Sequence, residues 1–390
     1  MFTLFGQFLR KMNRYRVSIL KRSFQKTGGA EKYLWRVVEK FSSRGVDVEI
    51  WSASPIYKSM WRKRGIFHVV HAPSLGRLGK LFVFDQVIKR HLQSTNYDCI
   101  LSMDKTTFHT HIRAGGGCHR SWLERRGRYL PAWRRASLWI EPYHRVVLSI
   151  ERKGFTAPWV RRIIANSEMV KREIMEYYGV DEERIAVIHN GVEWEEFREP
   201  FEETLTGQEE LKRQRGLDPH RFYFLFVGNG FERKGLRFAI EALKRLPEEA
   251  NLLVVGGDSK ESGYRGLVHR LGLQGRVMFF GSQQDVISFY QVADAFVLPT
   301  IYDPFSNATL EALAMGLFTV TTRGNGCSEV MADFAGVLVD DPADVEALAD
   351  AMSKAMDFTV DRRRIRESVA HLTLDRQVSK LVDLCLEEGR

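Results

Sequence analysis

The chain has 390 residues, 44% of them apolar and 27% charged; that length suits two globular domains and excludes disorder as the dominant state. Its 58 Lys and Arg against 49 Asp and Glu give a net charge of +9, but residues 1–200 hold 36 against 20 and residues 201–390 hold 22 against 29, so the cationic excess lies in the first half. No stretch reaches the ~18 consecutive apolar residues of a membrane-spanning helix, the N-terminal MFTLFGQFLRKMNRYR lacks the apolar core and cleavage site of a secretory signal, and Cys99, Cys118, Cys327 and Cys385 form no CxxC, which leaves a zinc ribbon unsupported and makes a reducing cytosol the expected compartment.

Short β-branched runs alternate with amphipathic segments along the whole chain. The first half predicts strands at Val17–Leu20, Val46–Trp51, Phe67–Val70, Cys99–Ser102, Ile163–Ala165 and Ala186–Ile188. The second predicts them at Phe222–Val227, Leu252–Val255, Val277–Phe280, Ala295–Leu298, Phe318–Thr321 and Val337–Val339. Between them, segments such as Ala30–Ser43, Lys234–Leu246 and Val345–Met356 place apolar residues at i, i+3, i+4 and i+7. Two series of βα units predict an α/β fold of two doubly wound, Rossmann-like domains facing across a cleft. The polar stretch Glu193–Gly216 reads as the linker, which puts the first domain at 1–200 and the second at 201–370. The last stretch, 371–390, is helical over Asp375–Glu388 and free to pack back on the first domain.

Doubly wound sheets bind ligands beyond the carboxyl ends of their strands, so three loops after strands stand out. Lys26–Glu31 offers Gly28 and Gly29 just before a helix, which reads equally as a plain turn or as a loop that lets a ligand approach the backbone. Val227–Gly235 joins Gly228, Asn229 and Gly230 to Arg233 and Lys234; Arg grips phosphate oxygens in pairs and Lys adds a point charge, the other reading being a surface charge pair. No G-K-[ST] follows, so this is not a Walker motif. Pro299–Gly316 places Asp303 in a loop, Ser306 as the N-cap of a helix, and Glu311 about one and a half turns into it. Between the two carboxylates the N–H groups of Asn307, Ala308 and Thr309 would point into the cleft, with Phe305 and Ser306 beside them as donor-binding candidates. That order suits a nucleotide sugar: one carboxylate for sugar hydroxyls, N–H groups for phosphate, one carboxylate for ribose. Taken alone, it is also a capped helix with one solvated Glu.

Asp303 to Gly316 resembles the E-x7-E region of the family 4 retaining glycosyltransferases of GT-B fold, and other pieces follow in the order of that family. These are T-G-G-A-E at 27–31, Ile164–Ser167, Ile188–Val192 and Gly228–Gly235, so that the resemblance covers roughly residues 16–360. Arg113–Arg120, R-A-G-G-G-C-H-R, is similar to the glucosyltransferases that extend the lipopolysaccharide inner core. The resemblance implies that Arg233 and Lys234 neutralise the departing diphosphate, that Glu311 holds ribose and that Asp303 meets the donor sugar. It further implies that no metal or other cofactor is needed and that the donor phosphate takes the acceptor's proton. Some core glucosyltransferases carry an acidic residue where this chain has Gly115–Gly117. The acceptor-side candidates nearby are Asp104, His109, His111 and His119; His109-Thr110-His111 is also a metal-pair spacing, with no third ligand evident.

The expected partners are therefore a nucleotide sugar and an anionic glycolipid, with the enzyme peripheral on the inner face of the cytoplasmic membrane. Basic, aromatic-interleaved stretches at Phe2–Arg22, Trp61–Arg64 and Trp122–Arg135 would hold it there. Met12 is an alternative start. Two other functions remain open on sequence: a non-catalytic GT-B-like scaffold, motivated by glycine at 116, and a basic nucleic-acid binder, for which no helix-turn-helix, RRM or KH motif speaks.

Overall fold

The computed structural model describes residues 15–24, 29–54, 66–70 and 76–387. They divide into two units, one running to His189 and resuming at Asp375, the other Asn190–Leu374.

The first unit is built on seven parallel strands in the order β3-β2-β1-β4-β5-β6-β7. These are β1 Arg16–Leu20, β2 Asp47–Ser52, β3 Ile66–Val69, β4 Cys99–Ser102, β5 His111–Arg113, β6 Arg162–Ala165 and β7 Ile185–Val187. Its helices are α1 Gly29–Ser43, α2 Gly76–Gln93, α3 His119–Gly127, α4 Ala132–Ile140, α5 Pro142–Thr156 and α6 Glu168–Tyr178. The second unit has six parallel strands in the order β10-β9-β8-β11-β12-β13. These are β8 Phe222–Val227, β9 Ala250–Val255, β10 Val277–Gly281, β11 Ala295–Leu298, β12 Phe318–Thr322 and β13 Gly336–Val339. Around them lie α7 Arg198–Gln214, the single turn α8 Phe231–Lys234, α9 Leu236–Leu243, α10 Glu261–Arg270, α11 Ile287–Val292, α12 Asn307–Ala314, α13 Val345–Met356 and α14 Arg362–Ser368. The last helix, α15 Leu374–Glu387, belongs to the first unit from Asp375 onward.

In a parallel sheet with helices on both faces the central strands are buried on both sides and read as unbroken apolar runs, while the edge strands β3 and β13 are only partly covered. All six residues of β9 (ANLLVV) and all four of β11 (AFVL) are buried. In α15, Val378, Leu381, Val382 and Cys385 are fully buried; their spacing is one apolar stripe of a helix. Two exposed ion pairs, Lys40–Asp375 and Arg44–Asp383, join α15 to α1 and the residue just beyond it.

Two expectations are corrected. Glu193–Gly216 is not a linker: it lies wholly within the second unit and contains the 17-residue α7. Its buried positions include Thr204 and Lys212 beside Phe201, so the apolar period is broken in the sequence. Lys212 is tolerated inside because its ammonium binds both oxygens of Asp294 at 2.9 Å. The second is an omission: β5, three residues long, was not anticipated, because two of its buried positions are His111 and Arg113.

Both sheets reverse their winding at one pair of neighbours, β1 with β4 and β8 with β11. The loops leaving those strands splay apart on either side of the reversal, which is where an open parallel sheet leaves a crevice for a ligand.

Candidate active site

In the second unit, the loops after β8 and β11 are stitched together at the reversal. The carbonyl of Arg233 accepts from the Ile301 N–H at 2.9 Å and from the Thr300 hydroxyl at 2.8 Å. Such an approach needs Gly235, whose φ of +77° favours glycine and where a Cβ would lie 1.8 Å from the Pro299 carbonyl oxygen. Gly228 serves differently: its bare Cα forms the bed of the Lys234 side chain, a Cβ there lying 3.1 Å from Lys234 Cε. Asn229 closes the loop from outside by accepting the Gly257 N–H at 2.8 Å.

The centre of the site is a cation pair sharing one carboxylate. Lys234 is buried and its ammonium is ion-paired with Asp303, with Ser306 Oγ 3.5 Å away. Arg233, half-exposed, places Nη1 3.2 Å from the same carboxylate and 3.1 Å from the Tyr302 carbonyl. Burial pushes the Asp303 carboxyl up, but Lys234 and Arg233 outweigh it and hold it below the usual carboxylate range. Burial also pushes the Lys234 ammonium down, and Asp303 opposes that only in part. The pair therefore favours the carboxylate charge while straining the ammonium charge.

Ser306 caps α12, accepting the Thr309 N–H at 3.3 Å. Thr309 is buried and its N–H is spent on the cap, so the expectation that it faces a ligand is corrected. Asn307 and Ala308 remain in the outer part of that first turn. Phe305 is buried, and its carbonyl and the Asn307 side chain both accept from Asn190 Nδ2, at 3.2 and 2.6 Å. Glu311 is half-buried and accepts the Tyr290 hydroxyl at 2.9 Å. Burial and Glu311 push the Tyr290 phenol far up, which keeps it a donor.

Two residues of this site were not read from the sequence. Tyr290, on α11, orients Glu311 and also bonds the Ala308 carbonyl at 3.2 Å. Asn325, fully buried after β12, accepts the Ser306 N–H at 3.2 Å and donates to Thr309 and Thr321 at 2.9 and 3.0 Å. It also pairs as a bridge with Asp303. The signal was a Gly-Asn-Gly triplet directly after a strand.

In the first unit, a cavity of about 180 Å³ opens at the β1/β4 reversal, lined by Arg22, Asp104, Lys105, Arg113, His119 and Tyr143 among others. Asp104 accepts the Arg22 N–H at 2.7 Å. Lys105 is ion-paired with the buried Glu151 and donates to the Gly117 carbonyl at 2.9 Å. Glu151 also accepts the His119 N–H and the Tyr178 hydroxyl. The His119 ring bonds His144 at 2.9 Å, and burial, Lys105 and His144 push it down to about 3, so it is neutral.

Of the four acceptor-side candidates, Asp104 and His119 thus meet at this cavity. His109 and His111 do not: both are fully buried. Both His109 nitrogens are occupied, by the Thr106 hydroxyl and the Gly154 carbonyl at 2.9 Å each, so the His109–His111 metal pair is also corrected. Gly29 opens α1, while Gly28 lies outside the described residues. So do the basic stretches at residues 2–14 and 61–64.

Residues 27–196 match the family model Glycosyltransferase Family 4, and residues 207–371 match Glycosyl transferases group 1. The lipopolysaccharide glucosyltransferase WaaG of Escherichia coli K12 is 23% identical over 354 residues, 88% of this chain and 90% of that one. An uncharacterized glycosyltransferase of Methanocaldococcus jannaschii, MJ1607, is 28% identical over 177 residues, and the match spans only 44% of either chain. Among solved structures, WaaG superposes with a TM-score of 0.79 at 22% identity, covering 95% of this chain and 99% of that one. Anabaena HepE, crystallised with UDP and glucose, has a TM-score of 0.63 at 17% identity, covering 96% and 97%. At these identities the structural likeness speaks for the fold alone.

Proposed function

The chain belongs to the family 4 glycosyltransferases of GT-B fold, and on that footing we propose that it moves a hexose from a nucleotide-diphospho sugar to an anionic glycolipid of the lipopolysaccharide-core type. The observation that carries this reading is the meeting of Arg233, Lys234, Asp303 and the capped start of α12 at the sheet reversal of the second unit. A guanidinium, a buried ammonium and helix N–H groups at one point form a cradle for a diphosphate.

Before the donor arrives, Asp303 is the counter-ion that makes a buried Lys234 affordable. When the diphosphate enters, its oxygens take over Arg233 and Lys234, and Asp303 is released to accept from hydroxyls of the sugar. Glu311, aligned by Tyr290, accepts from the ribose hydroxyls. In the transfer, the bond between the anomeric carbon and the phosphate oxygen breaks, its electron pair stays on the phosphate, and the two cations stabilise the charge that develops there. The acceptor hydroxyl adds to the same face of the sugar and its proton passes to the departing phosphate. The anomeric configuration is thus retained, and neither a dedicated protein base nor a metal is required.

The acceptor side falls to the first-unit cavity, where Arg22, Lys105 and Arg113 suit an anionic acceptor and neutral His119 is a hydrogen-bonding group. Membrane association is supported by α4, where Trp133 is 68% and Ile140 71% exposed, Trp139 is also exposed, and Arg134 and Arg135 lie between them. An amphipathic helix of aromatic and basic residues lies at an anionic lipid surface.

A panel of nucleotide sugars with truncated lipopolysaccharide acceptors tests the reading, with product mass and anomeric coupling as readouts. Arg233→Ala and Glu311→Ala should abolish nucleotide release while the chain still melts cooperatively; undiminished turnover in both would refute the proposed site. A chain that binds nucleotide yet turns over no donor, even by hydrolysis, is the scaffold instead. For the membrane, Trp133→Ser with Trp139→Ser should lose sedimentation with anionic vesicles.

A further inference from the structure

Cys99, His111 and Cys385 come from three separate parts of the chain and meet in the core of the first unit. Cys99 opens β4, His111 opens β5, and Cys385 lies in the last two turns of α15. In the sheet, Leu101 is the register partner of His111. Cys99 and Leu101 share a face of β4 because side chains alternate, so Cys99 and His111 lie on one side, and α15 brings Cys385 to them. All three are fully buried, and one ligand atom from each lies within 4.8 Å of the other two. The His111 Nδ1 is 3.3 Å from the Cys99 sulfur. Tyr15 adds an oxygen beside the cluster, its hydroxyl donating to the Cys385 carbonyl at 2.8 Å.

We propose that Cys99, His111 and Cys385 form a structural binding site for one zinc-type ion that clamps α15 to the first-unit sheet. The donor set decides the class of ion: two thiolates and an imidazole suit zinc and reject the hard cations magnesium and calcium, which take oxygen. A tetrahedral zinc with bonds of about 2.0–2.3 Å holds its ligand atoms some 3.5 Å apart; Cys99 and His111 already stand at 3.3 Å, the three donors lie within 4.8 Å of one another and close in on the ion, and the fourth position falls to an oxygen such as the Tyr15 hydroxyl or a water. Binding converts two thiols to thiolates, so two protons leave for each ion taken up. The clamp also has a task. The chain returns to the first unit only through α15, whose other ties are the buried stripe of Val378, Leu381 and Val382 and the ion pairs Lys40–Asp375 and Arg44–Asp383, with their exposed carboxylates. Such pairs contribute little, whereas a ligated ion ties positions 99, 111 and 385 at one point. The site takes no part in sugar transfer and does not depend on the function proposed above.

The test uses the full, tag-free chain, reduced and dialysed with zinc. Elemental analysis should give about one zinc per chain, and EDTA should lower the melting temperature of the loaded protein. Cys99→Ser and Cys385→Ser should bring zinc to background, while Cys118→Ser should keep it. Should the variants fail to fold, cobalt substitution of the wild-type chain decides: thiolate-to-cobalt charge-transfer absorption supports the site. No retained zinc and no such absorption would overturn it. Zinc kept equally by Cys99→Ser and Cys385→Ser would overturn it too, as would a Cys99–Cys385 disulfide found by mass spectrometry in the chain purified without reductant.

Discussion

Removing Lys234 should destabilise the second unit chiefly through what it leaves behind. Asp303 is 6% exposed, so Lys234→Met strands a buried carboxylate with Arg233 at 3.2 Å as its remaining cation. Breaking a buried pair costs about 3–5 kcal/mol; Arg233 is 35% exposed and keeps part of the counter-charge, which puts the expected loss near the lower end, about 3 kcal/mol. The unit spans Asn190–Leu374, and for 150–250 residues each kcal/mol moves the melting temperature by roughly 2–4 °C. Calorimetry should therefore show its transition falling by about 6–12 °C. Adding Asp303→Asn removes the stranded charge and should recover most of the loss, leaving about 1 kcal/mol. The pH dependence has a definite sign. Asp303 titrates lower in the folded chain than its ordinary value, so its contribution is fully present above about pH 4 and lost as pH falls through the lower folded value. The gap between wild type and Lys234→Met should narrow there. A shift below about 2 °C in the single variant, or losses that simply add in the double, would refute the account of Asp303 as the resident counter-ion.

Glu311→Gln should raise the donor KM about tenfold, equivalent to roughly 1.4 kcal/mol, without changing the melting temperature; Tyr290→Phe, which removes the aligning bond together with the one to the Ala308 carbonyl, should cost about 1 kcal/mol of donor binding by calorimetry. Gly235→Ala combines a left-handed backbone, about 1–2 kcal/mol, with a Cβ 1.8 Å from a carbonyl oxygen. Its soluble yield and melting temperature should fall below those of Gly263→Ala, where a Cβ meets nothing within 4 Å. The His119 ring, pushed down to about 3 by burial, Lys105 and His144, should show no titration between pH 8 and pH 5 by NMR; a midpoint near 6 would place it in water instead.

The strands of the second unit were legible because a parallel strand covered on both faces has no solvent side to interrupt it; Phe222–Val227 and Ala295–Leu298 stand where the sequence placed them. Where the interior accepts polar residues, that signal fails. β5 was invisible because Arg113 is held by the face of Tyr33, 4.1 Å from its ring centroid, and His111 by Thr110 and Cys99. α7 was invisible because Lys212 occupies a core position through Asp294. The same confusion misassigned His109 to the acceptor side: a histidine in the sequence advertises chemistry, and only the fold reveals that Thr106 and Gly154 absorb it, whereas His111 faces Cys99 in the core rather than the cavity.

The candidate site divides along one physical line. Arg233, Lys234, Asp303 and Ser306 were legible because each lies just beyond the end of a strand, and strand ends can be read from one sequence. Asn325 and Tyr290 were not, because their importance depends on which strands are neighbours. β12 lies beside β11, and only that adjacency lets Asn325 reach Ser306. The same holds for the first unit, where the cavity forms between the loops after β1 and β4, some 80 residues apart in the chain. Arg22 and Asp104 carry no shared motif, and nothing local to either predicts their 2.7 Å contact. Motifs therefore expose the half of a doubly wound site that lies within single loops, whereas the half made by pairing loops must come from strand order. That order, reversing at β1/β4 and again at β8/β11, puts each cavity or cation cluster where it is found.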